Sequence, residues 1–269
     1  VTDHHLPPQT LPEAAAIVNP QLPGDESPCK TLSGAGVAFK LAAALDGCTP
    51  DEMLPFYGDL AAIGTIADIM LLEGENRRIV KAGLALLQQT ERPGIAVLIE
   101  ACGLGGKELT AENVSFGLAP RLNAAGRMDS AAAALELLLC EDPEEAEAIV
   151  AGLEAQNAAR QKAEQDILQG VLDSVAADET YGADRILVVW GRGYHQGVIG
   201  IVASRVVERF GKPAIIVSVD ENGEGKGSGR SIAGVSLYNA IAACGDLLIR
   251  FGGHALAAGL SVREENLPA

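Results

Sequence analysis

The sequence opens with Val1-Thr2-Asp3-His4-His5, which places three metal-binding side chains in succession. Neighbouring residues of a β-strand point to opposite faces, so a contiguous Asp-His-His can serve one site only where a strand has given way to a loop. We interpret Val1 and Thr2 as the end of a strand, because α/β proteins bind ligands at the carboxyl ends of parallel strands. Since neither an initiator Met nor a targeting segment is present, we expect a fragment that begins at an active-site motif.

Composition and charge narrow the class of protein. The five cysteines are odd in number, widely spaced and without a C-x-x-C pair, which is typical of the reducing cytoplasm and argues against a disulfide framework or a zinc ribbon. No apolar run approaches the roughly 18 residues of a membrane span. The net charge of −16 alone disfavours nucleic acid, but the acidity lies in residues 1–183, whereas residues 184–269 are nearly balanced. We therefore expect a cytoplasmic protein without a membrane partner.

Helical patterns dominate the first two thirds of the chain. A helix is predicted over Thr31–Leu45 with Ser33 as N-cap, and its GAGVAF lacks the third glycine of a dinucleotide-binding run, so its glycines indicate helix packing. A short strand is predicted at Ala14–Asn19. Further helices are predicted over Pro50–Ala67, from the residues after Arg78 to Gln89, and over Pro93–Ala101, Ser130–Cys140 and Asp142–Ala177.

Asp68 follows one of these predicted helices in the apolar string GTIADIML. A carboxylate in such surroundings is unfavourable unless it is paired or bound to metal. The alternative is an Asp that only ends its helix. Both interpretations stay open on the sequence alone.

The string LAPRLNAAGRMD carries Arg121, Asn123 and Arg127. Arginines beside glycine suit phosphate recognition, because the guanidinium donates two hydrogen bonds and the nearby backbone can approach closely. The alternative is that the arginines neutralise local carboxylates such as Asp129.

The final third changes to a strand–helix–strand pattern over Arg185–Trp190, Val198–Phe210 and Pro213–Val219. Such a unit has parallel strands and a right-handed crossover. ENGEGKGSGRS is predicted to be a loop or hairpin that ends in Arg230 and Ser231, and it does not satisfy the P-loop pattern.

A helix is predicted over Leu237–Ile249, followed by Gly252 and Gly253, whose backbone can approach a ligand. His254 is predicted at the start of a small-residue helix. A single histidine near glycines is usually structural, but together with His195 and GSGRS it favours a shared anion site.

These strings together resemble the DHH phosphoesterase superfamily, and within it the single-strand-specific 5′→3′ exonucleases. The matching pieces appear in family order across the chain. They are VTDHH, VNPQLPGD with GAGVAFKLA, GTIADIMLLEGENRRIV, LAPRLNAAGRMDSA, HQGVIGIVASRV, GSGRSI and FGGHALAAG. Each piece is weak alone, and seven in order are specific.

The resemblance implies an α/β fold in three parts: the C-terminal part of a parallel-sheet DHH domain (1–140), a linking helix (141–183) and a smaller α/β DHH-associated domain (184–269). It implies two divalent cations, Mn²⁺ or Mg²⁺, and single-stranded DNA as partner of a monomer active in recombination and repair. The implied metal ligands are His4 and Asp68, the catalytic residues Asp3 and His5, which could also be outer or alternate ligands, and the substrate-binding residues Arg121, Asn123, Arg127, His195, Arg230, Ser231, Gly252, Gly253 and His254.

Two acidic motifs that precede DHH in the family are absent, and so is a following nucleic-acid-binding barrel. We therefore expect these 269 residues alone to bind Mn²⁺ weakly and to have little nuclease activity. Two alternatives remain: an oligonucleotide or dinucleotide phosphodiesterase of the same superfamily, and a non-catalytic single-strand-binding scaffold. The intact Asp3-His4-His5 and Asp68 argue against the scaffold.

Overall fold

A computed structural model describes residues 1–8, 10–177 and 184–268 of the chain. The chain divides into two compact units, Val1–Ala155 and Gln156–Ala269. The combination of helices with one five-stranded sheet confirms the α/β class. In the described residues, no helix is both long and apolar enough to cross a membrane.

The first unit is built from helices. They are α1 (Gly34–Leu45), α2 (Pro50–Ala67), α3 (Gly74–Leu87), α4 (Pro93–Ala101), α5 (Ala111–Asn113), α6 (Ala119–Met128), α7 (Ala132–Leu139) and the first part of α8 (Pro143–Ala177). A π-helical turn, Val114–Leu118, joins α5 to α6. The bounds predicted for α2 and α4 are confirmed. Each helix begins with a proline, which is favoured at the first helical position. The strand predicted at Ala14–Asn19 is wrong: its backbone makes only an isolated parallel bridge between Thr2 and Val18.

Close helix packing in the first unit depends on glycine. The α2 helix is capped by Thr49 and Glu52 in a reciprocal capping box and packs against both α1 and α3. A Cβ atom added at Gly64 would overlap Ala35 of α1, and one added at Gly83 of α3 would overlap Gly58 and Ala62 of α2. These glycines let the helix backbones approach closely enough to fix the relative positions of α1, α2 and α3.

The long helix α8 contributes to both units. Asp142 caps it by accepting hydrogen bonds from the backbone N–H groups of Glu144 and Glu145 at 2.8 and 3.2 Å. Its first turns bury Val150 and Leu153 in the core of the first unit. The division between the units falls inside this helix, after Ala155. Residues 178–183 of the expected linking segment lie outside the described residues.

The second unit contains a five-stranded sheet in the order β1-β2-β3-β5-β4. Its elements in chain order are β1 (Leu187–Arg192), α9 (Ile199–Phe210), β2 (Ala214–Val219), β3 (Glu224–Arg230), α10 (Leu237–Ala243), a 3-10 turn (Gly245–Leu247), β4 (Leu248–Gly253), β5 (Ala257–Arg263) and a last 3-10 turn (Glu264–Asn266). Strands β1 and β2 are parallel, as the βαβ prediction requires, and the other pairings are antiparallel.

Two sequence predictions for the second unit are wrong. The helix predicted over Leu237–Ile249 ends at Ala243, and the chain then enters strand β4. His254 does not begin a helix but lies in the turn between β4 and β5, where its backbone N–H donates to the carbonyl of Ala257 at 2.7 Å. The small residues around it form a hairpin in which β4 pairs with β5, and β5 also pairs with β3, a strand more distant in sequence.

Candidate metal and phosphate-binding sites

The Asp-His-His segment lies in a loop that hydrogen bonds hold at both ends. At its start, the N–H of Asp3 donates to the carbonyl of Val18 at 3.1 Å. After it, the buried Asn19 donates from Nδ2 to the carbonyl of His5 at 2.8 Å. This exit from the Thr2–Val18 bridge frees the three side chains from strand alternation. One ligand atom from each of Asp3, His4 and His5 then lies within 4.8 Å of the others.

Asp3 organises this loop with one carboxylate oxygen. Its Oδ1 accepts hydrogen bonds from the backbone N–H groups of His4 and His5 at 2.7 and 3.2 Å, and lies 2.8 Å from Nδ1 of His5. These hydrogen bonds, chiefly the one with the His5 ring, lower the pKa of Asp3 from 3.8 to about 2. The carboxylate therefore fixes the orientation of His5, as carboxylates commonly do for histidines at metal sites.

His4 also contacts Asp68. Its Nε2 lies 3.5 Å from Oδ2 of Asp68, and its ring packs beside Gly34 at the start of α1. Imidazole and carboxylate together are the ligand types that suit Mn²⁺ and similar divalent cations. The donor set of Asp3, His4, His5 and Asp68 thus fits the cofactor that the sequence predicted.

Helix α2 ends with Asp68 as its C-cap, and the residue after it has an unusual backbone conformation. The next residue, Ile69, adopts φ = 55° and leaves 87% of its side chain exposed. Backbone N–H groups of Ile69 and Met70 return to the carbonyls of Ile66 and Thr65, which is the hydrogen-bond pattern of a Schellman motif. Glycine is usual at this position, because the left-handed conformation is unfavourable for a β-branched residue by about 1–2 kcal/mol. The helix end is thus held in place despite local strain.

A cleft of about 490 Å³ joins His4 and Asp68 to other polar groups of the first unit. Its lining also includes Ser33, Gly34 and Ala35 of the α1 start, Gly64 and Ala67 of α2, and Asn123 and Arg127 of α6. Ser33 accepts a hydrogen bond from the N–H of Gly36 at 3.0 Å, and its hydroxyl lies 3.1 Å from that of Thr65. The cleft thus combines a helix N-terminus, which favours anions, with a candidate metal site.

The two arginines predicted for phosphate contact have different surroundings. Arg127 lines the cleft with Asn123, one helical turn before it. Arg121 is not among the lining residues; it forms an ion pair with Glu154 of α8 and donates to the carbonyl of Gly117 at 2.9 Å. The alternative of a charge-neutralising role describes these contacts of Arg121, although its carboxylate partner is Glu154 rather than Asp129.

The second unit gathers several of its predicted residues around β3. Arg230 donates to the hydroxyl of Ser228 at 3.2 Å and to the carbonyl of Gly229 at 2.9 Å. Gly200 in the first turn of α9 lies against both side chains, since an added Cβ would come within 2.9 Å of Ser228 Oγ and 3.2 Å of Arg230 Nη2. Ser231 instead donates its hydroxyl to the carbonyl of Val235 at 2.8 Å, which stabilises the following turn.

The remaining predicted residues occupy separate positions in the second unit. His195 precedes α9, and its Nδ1 accepts from the N–H of Gly197 at 3.2 Å while its carbonyl accepts from Val198 and Ile199. Gly252 lies on β4 opposite Gly259 of β5 and lines a second cleft of about 420 Å³. Gly253 has φ = 138°, which favours glycine, and His254 is exposed in the hairpin turn.

Sequence reasoning missed several residues of these clefts. Gly34 was assigned to helix packing alone, yet it also lines the first cleft. Lys226, Ser261 and Arg250 line the second cleft, although they come from three different strands. These three residues lie on the same face of the sheet because of strand register, which no local sequence motif indicates.

Comparison with known proteins agrees with this geometry. The N-terminal domain of the DHH family matches residues 1–65, and the DHHA1 domain matches residues 183–269. The single-stranded-DNA-specific exonuclease RecJ of Bacillus subtilis (strain 168) is 46% identical over 270 residues, covering 100% of this chain and 34% of that protein. The counterpart in Salmonella typhimurium is 40% identical over 284 residues, covering 98% of this chain and 49% of that protein. The chain thus spans between about a third and half the length of these relatives.

Solved structures give the same result. The crystal structure of RecJ from Thermus thermophilus in complex with Mn²⁺ superposes with a TM-score of 0.85 at 40% identity, covering 99% of this chain and 39% of that one. The seven sequence strings, the Asp-His-His loop with its Asp68 partner and the two domain matches agree. The chain therefore carries the N-terminal domain of the DHH family and a DHHA1 domain, and over nearly its whole length it is similar to the RecJ exonucleases.

Proposed function

We propose that this chain forms the core of a metal-dependent 5′→3′ exonuclease that hydrolyses phosphodiester bonds of single-stranded DNA in recombination and repair. The observation that carries the proposal is the first cleft, where His4 and Asp68 share one space with Arg127 and Asn123. The relatives named above, which are single-stranded-DNA-specific exonucleases, support the choice of substrate. We place the activity in the cytoplasm and assign it to a monomer.

The metal ligands in this proposal are His4 and Asp68, with Asp3 and His5 beside them. Bound divalent cations, Mn²⁺ or Mg²⁺, would polarise the phosphodiester and provide a hydroxide nucleophile at neutral pH. Asp3 holds the His5 ring through the 2.8 Å contact at Nδ1, so the opposite ring nitrogen of His5 stays available for a ligand or a proton. The crystal structures of RecJ with Mn²⁺ and with Mg²⁺ support this choice of cations.

In the first cleft we assign phosphate binding to two side chains of α6 and to the start of α1. Arg127 and Asn123 donate hydrogen bonds to phosphate oxygens, and the N-terminus of α1 at Gly34 adds backbone N–H groups and a partial positive charge. These donors oppose the negative charge that develops as the phosphodiester bond breaks. Arg121 has the separate task of fixing α6 to α8 through Glu154.

The second unit, whose DHHA1 match supports the assignment, binds the strand end in this proposal. Arg230 and Ser228 supply the charged and hydroxyl donors for the 5′-terminal phosphate, and Gly252 leaves room for the strand. The backbone around this site is held in shape by four further residues, Gly253, His254, His195 and Ser231. Residues 1–140 form the DHH part, 141–183 the connection and 184–269 the strand-end part.

Mn²⁺ binding is the first experiment. Titration calorimetry of the 269-residue chain should show that His4→Ala and Asp68→Ala each weaken Mn²⁺ affinity at least about tenfold, the lower limit seen when a supporting group of a metal site is lost. Asp166→Asn is the matched control, because it removes an exposed carboxylate in α8 that takes part in neither cleft. Unchanged affinity in both site variants would contradict the metal assignment.

The second experiment measures the substrate. We expect Mn²⁺-dependent release of nucleotides from a 5′-phosphorylated single strand, faster than hydrolysis of a dinucleotide and absent in Asp68→Ala. Turnover should be slow, since four ligand residues do not fill the coordination of two cations. Faster hydrolysis of the dinucleotide would favour an oligonucleotide phosphodiesterase, and metal-independent strand binding without hydrolysis would favour a scaffold.

A further inference from the structure

The second cleft contains two cations and a hydroxyl that the proposed reaction does not use. Lys226 and Arg250 carry the charges, and Ser261 lies between them. In the described part of the chain, no Asp or Glu lines this cleft, although the protein carries 36 acidic residues. Ser228, which the proposed function gives to the 5′-terminal phosphate, lines the same cleft. The unused charges therefore lie beside a phosphate site.

Strand register fixes the spacing between these groups and Ser228. Lys226 of β3 pairs with Ser261 of β5, and Ser261 pairs with Arg250 of β4. Directly paired residues point to the same face of a sheet, so the three side chains form one row. Ser228 is two residues after Lys226 on β3 and therefore lies on the same face, about 7 Å further along the strand. Long lysine and arginine side chains can span part of that step, and a ligand has to span the rest.

The groups of this row are available to a ligand. Among the described residues, the side chain of Lys226 makes no hydrogen bond or ion pair, and that of Arg250 bonds only to Ser261, at 3.2 Å. Ser261 is 3% exposed, and its hydroxyl accepts this bond but has no acceptor of its own in the part of the chain that the structure describes. Lys226 helps to lower the pKa of Asp220, but the hydrogen bond from the backbone N–H of Glu224 has a larger effect. Two cations and a hydroxyl donor without a carboxylate indicate an anionic ligand.

The space beside Ser228 is open and favours negative charge. Ser228 pairs with Gly259, and Gly259 pairs with Gly252. A Cβ added at Gly252 would meet nothing within 4 Å, and one at Gly259 would meet only the carbonyl of Gly227 at 3.7 Å. The N-terminus of α9 borders this space, and its N-cap residue, Val198, makes no side-chain capping hydrogen bond. The helix end therefore adds a partial positive charge to the cleft.

The proposed reaction limits which phosphates can reach the row. The next phosphate toward the 3′ end is the one whose ester bond is broken, and the proposed function assigns it to the cleft of the first unit. The row is therefore not a site for that phosphate. Phosphates joined to the terminal phosphate on the side away from the strand have no such assignment. A diphosphate or triphosphate end extends from Ser228 by only one or two anhydride links, and long side chains can meet it there.

We propose that the Lys226–Ser261–Arg250 row binds the outer phosphates of a single strand whose 5′ end is a diphosphate or triphosphate. This inference rests on the proposed function, in which Ser228 and Arg230 hold the innermost phosphate. Lys226 and Arg250 offset the additional negative charges, and Ser261 donates its hydroxyl to an outer phosphate oxygen. The range of substrates thus extends from ends left by cleavage, which carry one phosphate, to ends at which a chain was begun from a nucleoside triphosphate.

Fluorescence anisotropy of the 269-residue chain with 3′-fluorescein oligothymidylates tests this proposal. Three probes differ only at the 5′ end, which carries a hydroxyl, a monophosphate or a triphosphate. EDTA is present, so that no divalent cation neutralises the phosphates and no strand is hydrolysed. The unmodified chain should bind the triphosphate at least about tenfold more tightly than the monophosphate, since one hydrogen bond to a charged group contributes that factor or more.

The row variants should affect only the outer phosphates. Lys226→Gln and Arg250→Gln should each lower the advantage of the triphosphate over the monophosphate by about threefold or more, which corresponds to the loss of one typical hydrogen bond. Both should leave the advantage of the monophosphate over the hydroxyl unchanged. Arg230→Gln should instead remove the advantage of the monophosphate over the hydroxyl.

Arg209→Gln is the matched control, because it removes one positive charge of the same unit outside the cleft. This exposed arginine lies in the last turn of α9, about 15 Å along the helix from Ile199 at the cleft. Its loss should leave the advantage of the triphosphate unchanged. Thermal unfolding followed by Trp190 fluorescence verifies that each variant is folded.

An advantage of the triphosphate that is absent in the unmodified chain, or unchanged in both row variants, would overturn the proposal. So would free thymidine triphosphate that binds as tightly as the triphosphorylated strand, since the ligand would then be a free nucleotide. These failures leave the preference for a monophosphate over a hydroxyl intact. Failure of the proposed function is recorded separately, as the loss of that preference or of Mn²⁺-dependent hydrolysis.

Discussion

The two units bring the polar side chains of their clefts together in different ways. In the first unit three polar residues of the cleft lie outside the helices: His4 in a loop, Ser33 before α1, and Asp68 after α2. In the second unit Lys226, Ser261 and Arg250 lie within strands and share a face by register. The first arrangement depends on how helices pack, whereas the second depends on backbone hydrogen bonds. The same change in side-chain volume should therefore have different consequences in the two units.

Ion pairs give the largest expected contrast. Glu164 of α8 is buried in the second unit and accepts from Arg160 at 2.8 Å and from Arg205 of α9 at 3.1 Å. Glu164→Ala leaves Arg160, whose side chain is only 12% exposed, without its carboxylate and should reduce the free energy of unfolding by about 3–5 kcal/mol. Glu154→Ala, which breaks the half-exposed pair with Arg121 in the first unit, should reduce it by about 1 kcal/mol or less.

Urea unfolding measures both variants. Trp190 is the single tryptophan and lies in β1, so its fluorescence follows the second unit, while circular dichroism follows the helices of both units. Equal losses for Glu164→Ala and Glu154→Ala would show that burial does not separate these pairs.

Glycine substitutions test the comparison directly. Gly64→Ala puts a methyl group against Ala35, which belongs to the packed backbone of α1, and should destabilise the protein by about 1–3 kcal/mol and weaken Mn²⁺ binding. Gly200→Ala in α9 meets only the movable ends of Ser228 and Arg230, so it should leave stability nearly unchanged and weaken the preference for a 5′-phosphate.

Gly152→Ala in α8 is the control for both glycine variants. An added Cβ there meets nothing within 4 Å, so the gain in helix propensity should stabilise the protein by about 0.5–1 kcal/mol. Thermal unfolding and Mn²⁺ titration measure the three variants. A Gly64→Ala protein that matches Gly152→Ala in stability would contradict the distinction between a glycine packed against a neighbouring helix and one that meets only the ends of movable side chains.

The pH dependence of stability should give the smallest contrast. Burial raises the pKa of Tyr194 in the second unit, so the folded state favours its neutral phenol. That contribution is fully present below the ordinary tyrosine pKa near 10 and is lost as the pH rises toward the higher folded pKa. An ordinary tyrosine titrates with a midpoint of about 10, so the free energy of unfolding should fall less for Tyr194→Phe than for the unmodified protein between about pH 9 and 11. The same urea measurement tests this difference.

Asp25 of the first unit gives the opposite sign. Hydrogen bonds from the side chains of Lys30 and Ser27 lower the pKa of its exposed carboxyl to about 2. Its contribution is present above the ordinary aspartate pKa and is lost as the pH falls toward the folded value. Asp25→Asn should thus change the free energy of unfolding only on the acid side of its pH profile. A change on the alkaline side would contradict the assignment.

Local signals account for what could be predicted. Prolines at the first positions of α2 and α4 allowed those helix starts to be predicted. The expectation of an apolar setting for Asp68 is wrong, because its side chain is 45% exposed, and the residue instead ends α2 and lines a cleft. The β4–β5 hairpin could not be predicted, because FGGHALAAGLSV lacks the alternation of apolar and polar residues that indicates a strand. Its pairing with β3 is a contact between residues distant in sequence. Lys226, Ser261 and Arg250 line the same cleft only because β5 pairs with both β3 and β4, so their shared position could not be predicted.

The π-helical turn has a consequence for how the family can vary in length. In Val114–Leu118 the N–H of Ala119 donates to the carbonyl of Val114, so the helical path from α5 to α6 holds one residue more than an α-helix needs. Deleting one residue there can restore an α-helix and leave Asn123 and Arg127 facing the cleft. The same deletion within α2 would rotate everything after it by about 100° and turn Asp68 away from His4. Deletions of one residue should therefore be tolerated before α6 and excluded from α2.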